Sequence, residues 1–413
     1  MSKIAFGTFR LSIENYEHYN ALKLALEKGC EVIDTSSSYM DGKSEKLIGK
    51  VLEENPQFNP TIITKGGILN LREKDNFEKG RAKKIDVLKT KKNMFYSLDE
   101  DVIDYQINKS LEHLKKKNLD VFLLHNPETY FLKKGNDKSY IYKKISDAFK
   151  FLEKMVKKNK IKTYGVSSNS FSLNPEHPSY IDLYKLIDLA DSNGSDNNFR
   201  WIEFPLNLME RGAMEQFGGN PSLIEKAKKN NIKTLINRPL NAFDQGHLTR
   251  LATYEKFCKP INYDESQRKL EECIHLMEEM VSTPNDSISN EDLWTFTNLR
   301  AHWVNLHTVE QVDNIFNKTI YPILNKGSKK EHVKRDLKIL DDLYSLGIGQ
   351  VRQYMTKKAN RFRKVAINQG LIPDLPEADL AVLACETYSK WDVDLIALGM
   401  KRTHYVDQLS HLF

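Results

Sequence analysis

The stretch at 119–166 reads LDVFLLHNPETYFLKKGNDKSYIYKKISDAFKFLEKMVKKNKIKTYGV. It opens on an apolar run, DVFLL at 120–124, and closes on a second, KTYGV at 162–166. Between them the apolar residues of 140–157 recur at helical spacing. That is one strand–helix–strand unit, with the long crossover that two parallel strands require. The same alternation extends in both directions. Further strand-like runs lie at 4–8, 31–34, 61–64, 200–204, 233–236 and 394–398, with helix patterns at 17–28, 44–53, 99–115 and 221–229. Most of these runs are continuously apolar, as strands covered on both faces are. Eight strands alternating with helices predict a (β/α)8 barrel. The competing open, doubly wound sheet would carry G-x-G-x-x-G after its first strand, and the sequence contains none.

One interval breaks the rhythm. Between Ile236 and Asp394 lies far more chain than one barrel helix needs. The surplus is patterned: Leu270, Cys273, Ile274, Met277, Met280 and Val281 share a helical face, and Val309, Val312, Ile315, Phe316, Leu337, Leu340, Leu343 and Tyr344 continue the periodicity. The expected organisation is therefore a barrel segment at 1–245, a helical insertion at 246–375 on the side of the active site, and the last barrel helix and strand at 376–413. Such an insertion serves either as a lid or wall of a pocket or as a peripheral elaboration for oligomer contacts.

Composition narrows the class. Of the 413 residues, 40% are hydrophobic and 29% charged, which excludes wholesale disorder. A net charge of +6 on so long a chain does not call for nucleic acid. Lysine clusters at 115–117, 157–160 and 226–229 follow helix patterns, where cations complement the helix dipole. No apolar run is long enough to cross a bilayer, and MSKIAFGTFR lacks the layout of a signal peptide. Cys30, Cys258, Cys273 and Cys385 are scattered without a C-x-x-C pair. These features predict a cytoplasmic protein with neither membrane nor nucleic-acid partner. No metal site is expected, since His302 and His307 are off helical ligand spacing and Cys273 and His275 point to different faces.

In such a barrel the informative residues stand at the C-terminal ends of strands. Reading them off gives Asp34, Lys65 and His125, with Tyr39 on the loop leaving the second strand. A tyrosine hydroxyl is a weak acid near neutral pH, and a nearby ammonium stabilises its anion. Lys65, held by Asp34, is placed to do this, while His125 polarises a carbonyl oxygen. The set donates a proton for carbonyl reduction but has no hydride source, which implies a nicotinamide cofactor.

The segments VIDTSSSY (32–39), GKSEKLIGKVL (42–52), IITKGG (62–67), LDVFLLHNPE (119–128) and KIKTYGVSSNSF (160–171) resemble the aldo-keto reductase superfamily. The HNPE continuation is similar to a bacterial and plant subgroup. The resemblance implies an NADPH-dependent reductase of an aldehyde, ketone or aldose, with Tyr39 as general acid, or the reverse reaction as a sugar or alcohol dehydrogenase. A regulatory NADPH-binding subunit with slow turnover is the alternative. It also implies cofactor contacts from Gly7, Thr8, Ser167, Ser168, Asn169, Glu203, Arg238, Gly399, Met400, Lys401, Arg402, Tyr405 and Gln408. Two cations at a helix start, Lys401 and Arg402, make sense if a phosphate rests there. Three positions depart from the family pattern: Glu203 stands for a glutamine, Asn237 opens a segment without the usual stacking aromatic, and Leu409 replaces an asparagine. Phe9, Arg10, Phe95, Tyr96, Tyr130 and Phe171 are the expected residues of the pocket mouth.

Overall fold

Within a strand, side chains alternate between faces, and here that alternation builds a closed barrel. The computed structural model describes residues 3–79, 87–91, 93–131, 137–244, 247–253, 261–282, 298–322 and 333–413. Eight parallel strands, β1 (Ile4–Gly7), β2 (Val32–Asp34), β3 (Thr61–Gly66), β4 (Leu119–His125), β5 (Ile161–Ser167), β6 (Phe199–Pro205), β7 (Lys233–Asn237) and β8 (Leu395–Gly399), each pair with their sequence neighbours. Pairing of β1 with β8 closes the ring and leaves no edge. The fold is the predicted (β/α)8 barrel.

Ala5, Ile63, Val121, Leu123, Trp201, Leu235, Leu395 and Ala397 pack as one buried cluster, with Val32 against it. Two residues further along their strands come Gly7, Asp34, Lys65, His125, Glu203, Asn237 and Gly399. Period two thus sets a polar layer on top of an apolar one. Flanking helices fix the loops above it. Ser44, in the helix Lys43–Glu54, donates to the carbonyls of Thr8 (3.0 Å) and Leu11 (2.7 Å). Its neighbour Glu45 accepts from Thr64 Oγ1 at 2.7 Å.

A small antiparallel sheet was not anticipated. Ile68–Asn70 and Leu88–Lys91 each pair with Met94–Tyr96, in the connection after β3. These strands are three or four residues long, too short for an alternation to be read.

The chain divides into two compact units, Met1–Gly246 with Val382–Phe413, and His247–Ala381. The second is helical, with Tyr263–Ser282, Val309–Ile315 and the long Val333–Asn368. Its core gathers Leu270, Cys273, Ile274, Trp303, Val312, Phe316, Leu340 and Leu343. A Cβ on Gly347 would lie 2.8 Å from the Trp303 ring, so the indole needs glycine in mid-helix. Trp303 Nε1 donates to Ser266 Oγ (3.1 Å), which contacts Gln350 Oε1 at 3.1 Å. Cys258 and the side chains of Met277, Met280, Val281 and Leu337 lie outside the described residues. Among the described residues no helix is long and apolar enough to cross a membrane.

Close approach of β5 to β6 is the tightest constraint on the barrel wall beside the polar layer. A Cβ on Gly165 would sit 2.0 Å from the Trp201 carbonyl oxygen. Gly165→Ala is expected to lower stability by about 2 kcal/mol or more through overpacking. The urea midpoint checks this, and an unchanged midpoint would refute the wall's rigidity.

Candidate active site

The polar layer converges on one ammonium. Lys65, fully buried on β3, donates to Asp34 Oδ1 on β2, to the Thr35 carbonyl at 3.1 Å and to the Tyr39 hydroxyl at 3.3 Å. Its three protons are thereby used. Glu203 on β6 brings a second carboxylate, with Oε2 3.2 Å from Lys65 Nζ but not aligned as a hydrogen bond. Asn237 on β7 donates to the other Glu203 oxygen at 2.8 Å, and its own Oδ1 is buried without a partner. The Tyr39 ring lies edge-on to His125, 6.1 Å between centroids, and Phe9 packs edge-on to Tyr39 at 5.1 Å. His125 Nδ1 is 3.4 Å from Ser36 Oγ.

Tyr39 reaches this position because the chain leaves β2 through a tight turn. Tyr39–Gly42 forms a short helical turn in which Met40 (φ 49°), Asp41 (φ 57°) and Gly42 (φ 82°) are left-handed.

Electrostatics follow from burial. Desolvation works against the Lys65 ammonium, but Asp34, Glu203 and Tyr39 hold it well above its ordinary range. Burial and Glu203 push Asp34 up to about 7, against the pull of Lys65. Burial and the Lys65 charge push His125 down to about 3, so its imidazole is neutral at ordinary pH. Tyr39 corrects the sequence reading. Lys65 does pull its hydroxyl down, but burial, Asp34 and Glu203 outweigh it, and the hydroxyl stands above the ordinary tyrosine value.

Residues 3–190 match the family model described as the Aldo/keto reductase family. Over these residues the chain is similar to that family. The chain is 23% identical over 222 residues to an NAD(P)H-dependent D-xylose reductase of Scheffersomyces stipitis, covering 47% of this chain and 62% of the relative. It is 23% identical over 261 residues to the aldo-keto reductase YhdN of Bacillus subtilis, covering 62% of this chain and 63% of the relative. The chain therefore spans less than two thirds of these aldo-keto reductases. A glycerol dehydrogenase from Gluconobacter oxydans resembles it in structure, with TM-score 0.49, 16% identity, and coverage of 100% of this chain and 86% of the other.

Other positions taken from the aldo-keto reductase pattern divide by what their side chains already do. Glu128, the last residue of HNPE and not among the expected site residues, accepts from Ser168 Oγ (2.8 Å) and the Asn169 backbone (2.9 Å). Burial raises its carboxyl. Asn169 Nδ2 also donates to Asn126 Oδ1 at 3.2 Å, so this loop clamps the end of β5, where Ser167 stands. Thr8 Oγ1 is turned inward onto the Asp34 carbonyl at 2.9 Å. Arg238 (φ 54°) pairs with Glu210 at 2.8 Å and covers the Phe243 ring. Gly7 and Gly399 face each other in register, and Met400 is fully buried.

Beyond β8, Lys401 and Arg402 precede the helix Thr403–Leu409, which carries Tyr405 and Gln408. Their charges, after burial, help hold His18 below its ordinary value. Glu17 Oε1 accepts from the Thr403 backbone at 2.9 Å and from its hydroxyl at 3.2 Å. Leu409 is buried and belongs to the core.

Four of the six mouth candidates are buried. Phe95 packs with Leu69, Phe77 and Val102 in the small sheet's core. Tyr96 and Tyr130 are buried against each other, centroids 5.1 Å apart, and Tyr130 OH accepts from the Leu98 backbone at 2.8 Å. Phe171 is buried beside Tyr180, Gly212 and Leu223. Aromatic side chains on long connections were drawn inward by their large apolar area. Phe9 remains exposed, with Arg10 over its ring.

Lys65→Met would leave two buried carboxylates without their ammonium, at a cost of about 3–5 kcal/mol. Losing that charge removes the pull that lowers Asp34 and raises its folded-state pKa still further above the unfolded value. The variant then gains a proton on folding, so its deficit is full at alkaline pH and shrinks as pH falls through that raised value. Urea midpoints at about pH 5 and about pH 8.5 should show the gap to wild type narrowing on the acid side. A gap that widens there would contradict the assignment.

Proposed function

We propose that this protein is an NAD(P)H-dependent carbonyl reductase, with Asp34, Tyr39, Lys65 and His125 as its catalytic group. One observation carries the reading: the same buried ammonium binds Asp34 and the Tyr39 hydroxyl, and a neutral His125 faces that tyrosine. Support for the cofactor comes from two features of the site. Asn237 Oδ1 is a buried acceptor without a partner, suited to an amide N–H. The Thr403 donors already hold an anionic oxygen, that of Glu17, beside Lys401 and Arg402. The name of the xylose reductase relative records NAD(P)H dependence for that protein.

In this reading Glu203, Asn237, Ser167 and Asn169 hold the nicotinamide end, Gly7 and Gly399 admit it, and Lys401, Arg402, Tyr405 and Gln408 serve the adenosine end, with a preference for NADPH. The bound cofactor supplies the hydride. A substrate carbonyl oxygen sits between the Tyr39 hydroxyl and His125. His125, neutral and presenting an N–H from Nε2 while Nδ1 faces Ser36, polarises the carbonyl. Tyr39 gives its proton to the developing alkoxide, which is far more basic than a phenolate. Lys65 then donates to the tyrosinate oxygen, and Asp34 keeps the ammonium in place. Phe9 lies edge-on against the tyrosine ring. The substrate class is an aldehyde, ketone or aldose, and the corresponding alcohol in reverse.

Following NADPH absorbance over a panel of such carbonyls tests this. Tyr39→Phe should lose about 10²–10⁴ of turnover while still binding NADPH, as removal of a general acid does. Tight NADPH binding without turnover in the wild type would replace the reductase reading with a regulatory one. Arg402→Ala should weaken NADPH binding while sparing NADH, measured by quenching of protein fluorescence. Equal losses for both cofactors would remove Arg402 from the phosphate site.

A further inference from the structure

The barrel centre holds more negative charge than positioning of Lys65 requires. One ammonium faces two carboxylates from opposite parts of the chain, Asp34 and Glu203. Only Asp34 is hydrogen-bonded to it, and the remaining ammonium protons go to Thr35 and Tyr39. Glu203 therefore acts on Lys65 through charge, and its position is set from elsewhere: Asn237 anchors its other oxygen at 2.8 Å. The side chain is 2% exposed, so water does little to screen it.

We propose that Glu203 is a positioning residue for proton transfer: as a second counter-ion of Lys65 it cancels the ammonium's pull on Tyr39 and keeps that hydroxyl in its proton-donating form into the alkaline range. The arithmetic of charge gives the direction. With Asp34 alone, the ammonium is neutralised once and a tyrosinate adds a single excess negative charge. With Glu203 present, the layer already carries that excess, and a tyrosinate would add a second in a desolvated space. Removing the Glu203 charge therefore makes Tyr39 ionise more readily and biases the group toward proton acceptance, which alcohol oxidation requires. The other groups facing Tyr39 do not replace it. His125 on β4 is neutral, Asp41 on the tyrosine's own turn is engaged with Asn70 at 2.9 Å, and Arg10 approaches only across the Phe9 ring, 6.0 Å from its centroid. The elevated Tyr39 value, to which both carboxylates contribute, agrees with this.

The ionisation of Tyr39 can be read without turnover. The chain has 18 tyrosines, so the tyrosinate absorbance of Tyr39 is isolated by subtracting the titration of Tyr39→Phe in the same background. In ligand-free protein, Glu203→Gln should move the Tyr39 midpoint down by about one unit or more, a tenfold change in its acidity. Glu203→Asp, which keeps the carboxylate, should restore most of the wild-type midpoint. Glu203→Ser removes the charge with a smaller side chain and is expected to shift the midpoint in the same direction should the glutamine variant not fold. Coincident midpoints in wild type and a folded charge-removing variant would overturn the proposal. The kinetic consequence rests on the reductase reading: the alkaline limb of kcat/KM for carbonyl reduction should move down in parallel, with kcat affected more than KM. If no carbonyl is turned over by the wild type, the reductase reading fails while the titration still decides the role of Glu203.

Discussion

A single ammonium buried at the centre of a closed sheet is the constraint on which the rest of the site depends. Taking Lys65 out of water is costly unless its charge is matched and its three protons are placed. The match comes from residues that are distant in sequence, Asp34 and Glu203, and only a ring of parallel strands brings their ends to one point. The surrounding scaffold reads as support for that point. Ser44 ties down the loop after β1, Glu45 ties the helix after β2 to β3, and Glu128 clamps the end of β5.

Charge is distributed unevenly along this rim. At the centre, two buried acids face one buried base, and the neutral His125 adds no positive charge. Past β8, Lys401 and Arg402 stand near His18, and Glu17 accepts from the Thr403 donors.

The fold was legible because its signals are local and repeated. All eight strands lie within one or two residues of their expected bounds, since most are continuous apolar runs next to a helical period. The polar layer was legible for a related reason: polar residues at the ends of apolar strands stand out. Counting two residues on from Trp201 and Leu235 would also have placed Glu203 and Asn237 in the inward layer with Lys65. Three features resisted such reading. The short antiparallel sheet has too few residues for a period, Tyr96 and Tyr130 are packed by partners from separate connections, and the acidity of Tyr39 depends on a carboxylate far from it in sequence.

The sequence by itself determined the order of strands and helices, the barrel they make and the identity of the residues at its rim, because propensity and hydrophobic period act over a few neighbours. Tertiary structure alone decided how many charges share the ammonium, which aromatics are buried, and in which direction the tyrosine is shifted. Those properties are sums over groups brought together through space in a medium that does not screen them, and no local pattern contains that sum.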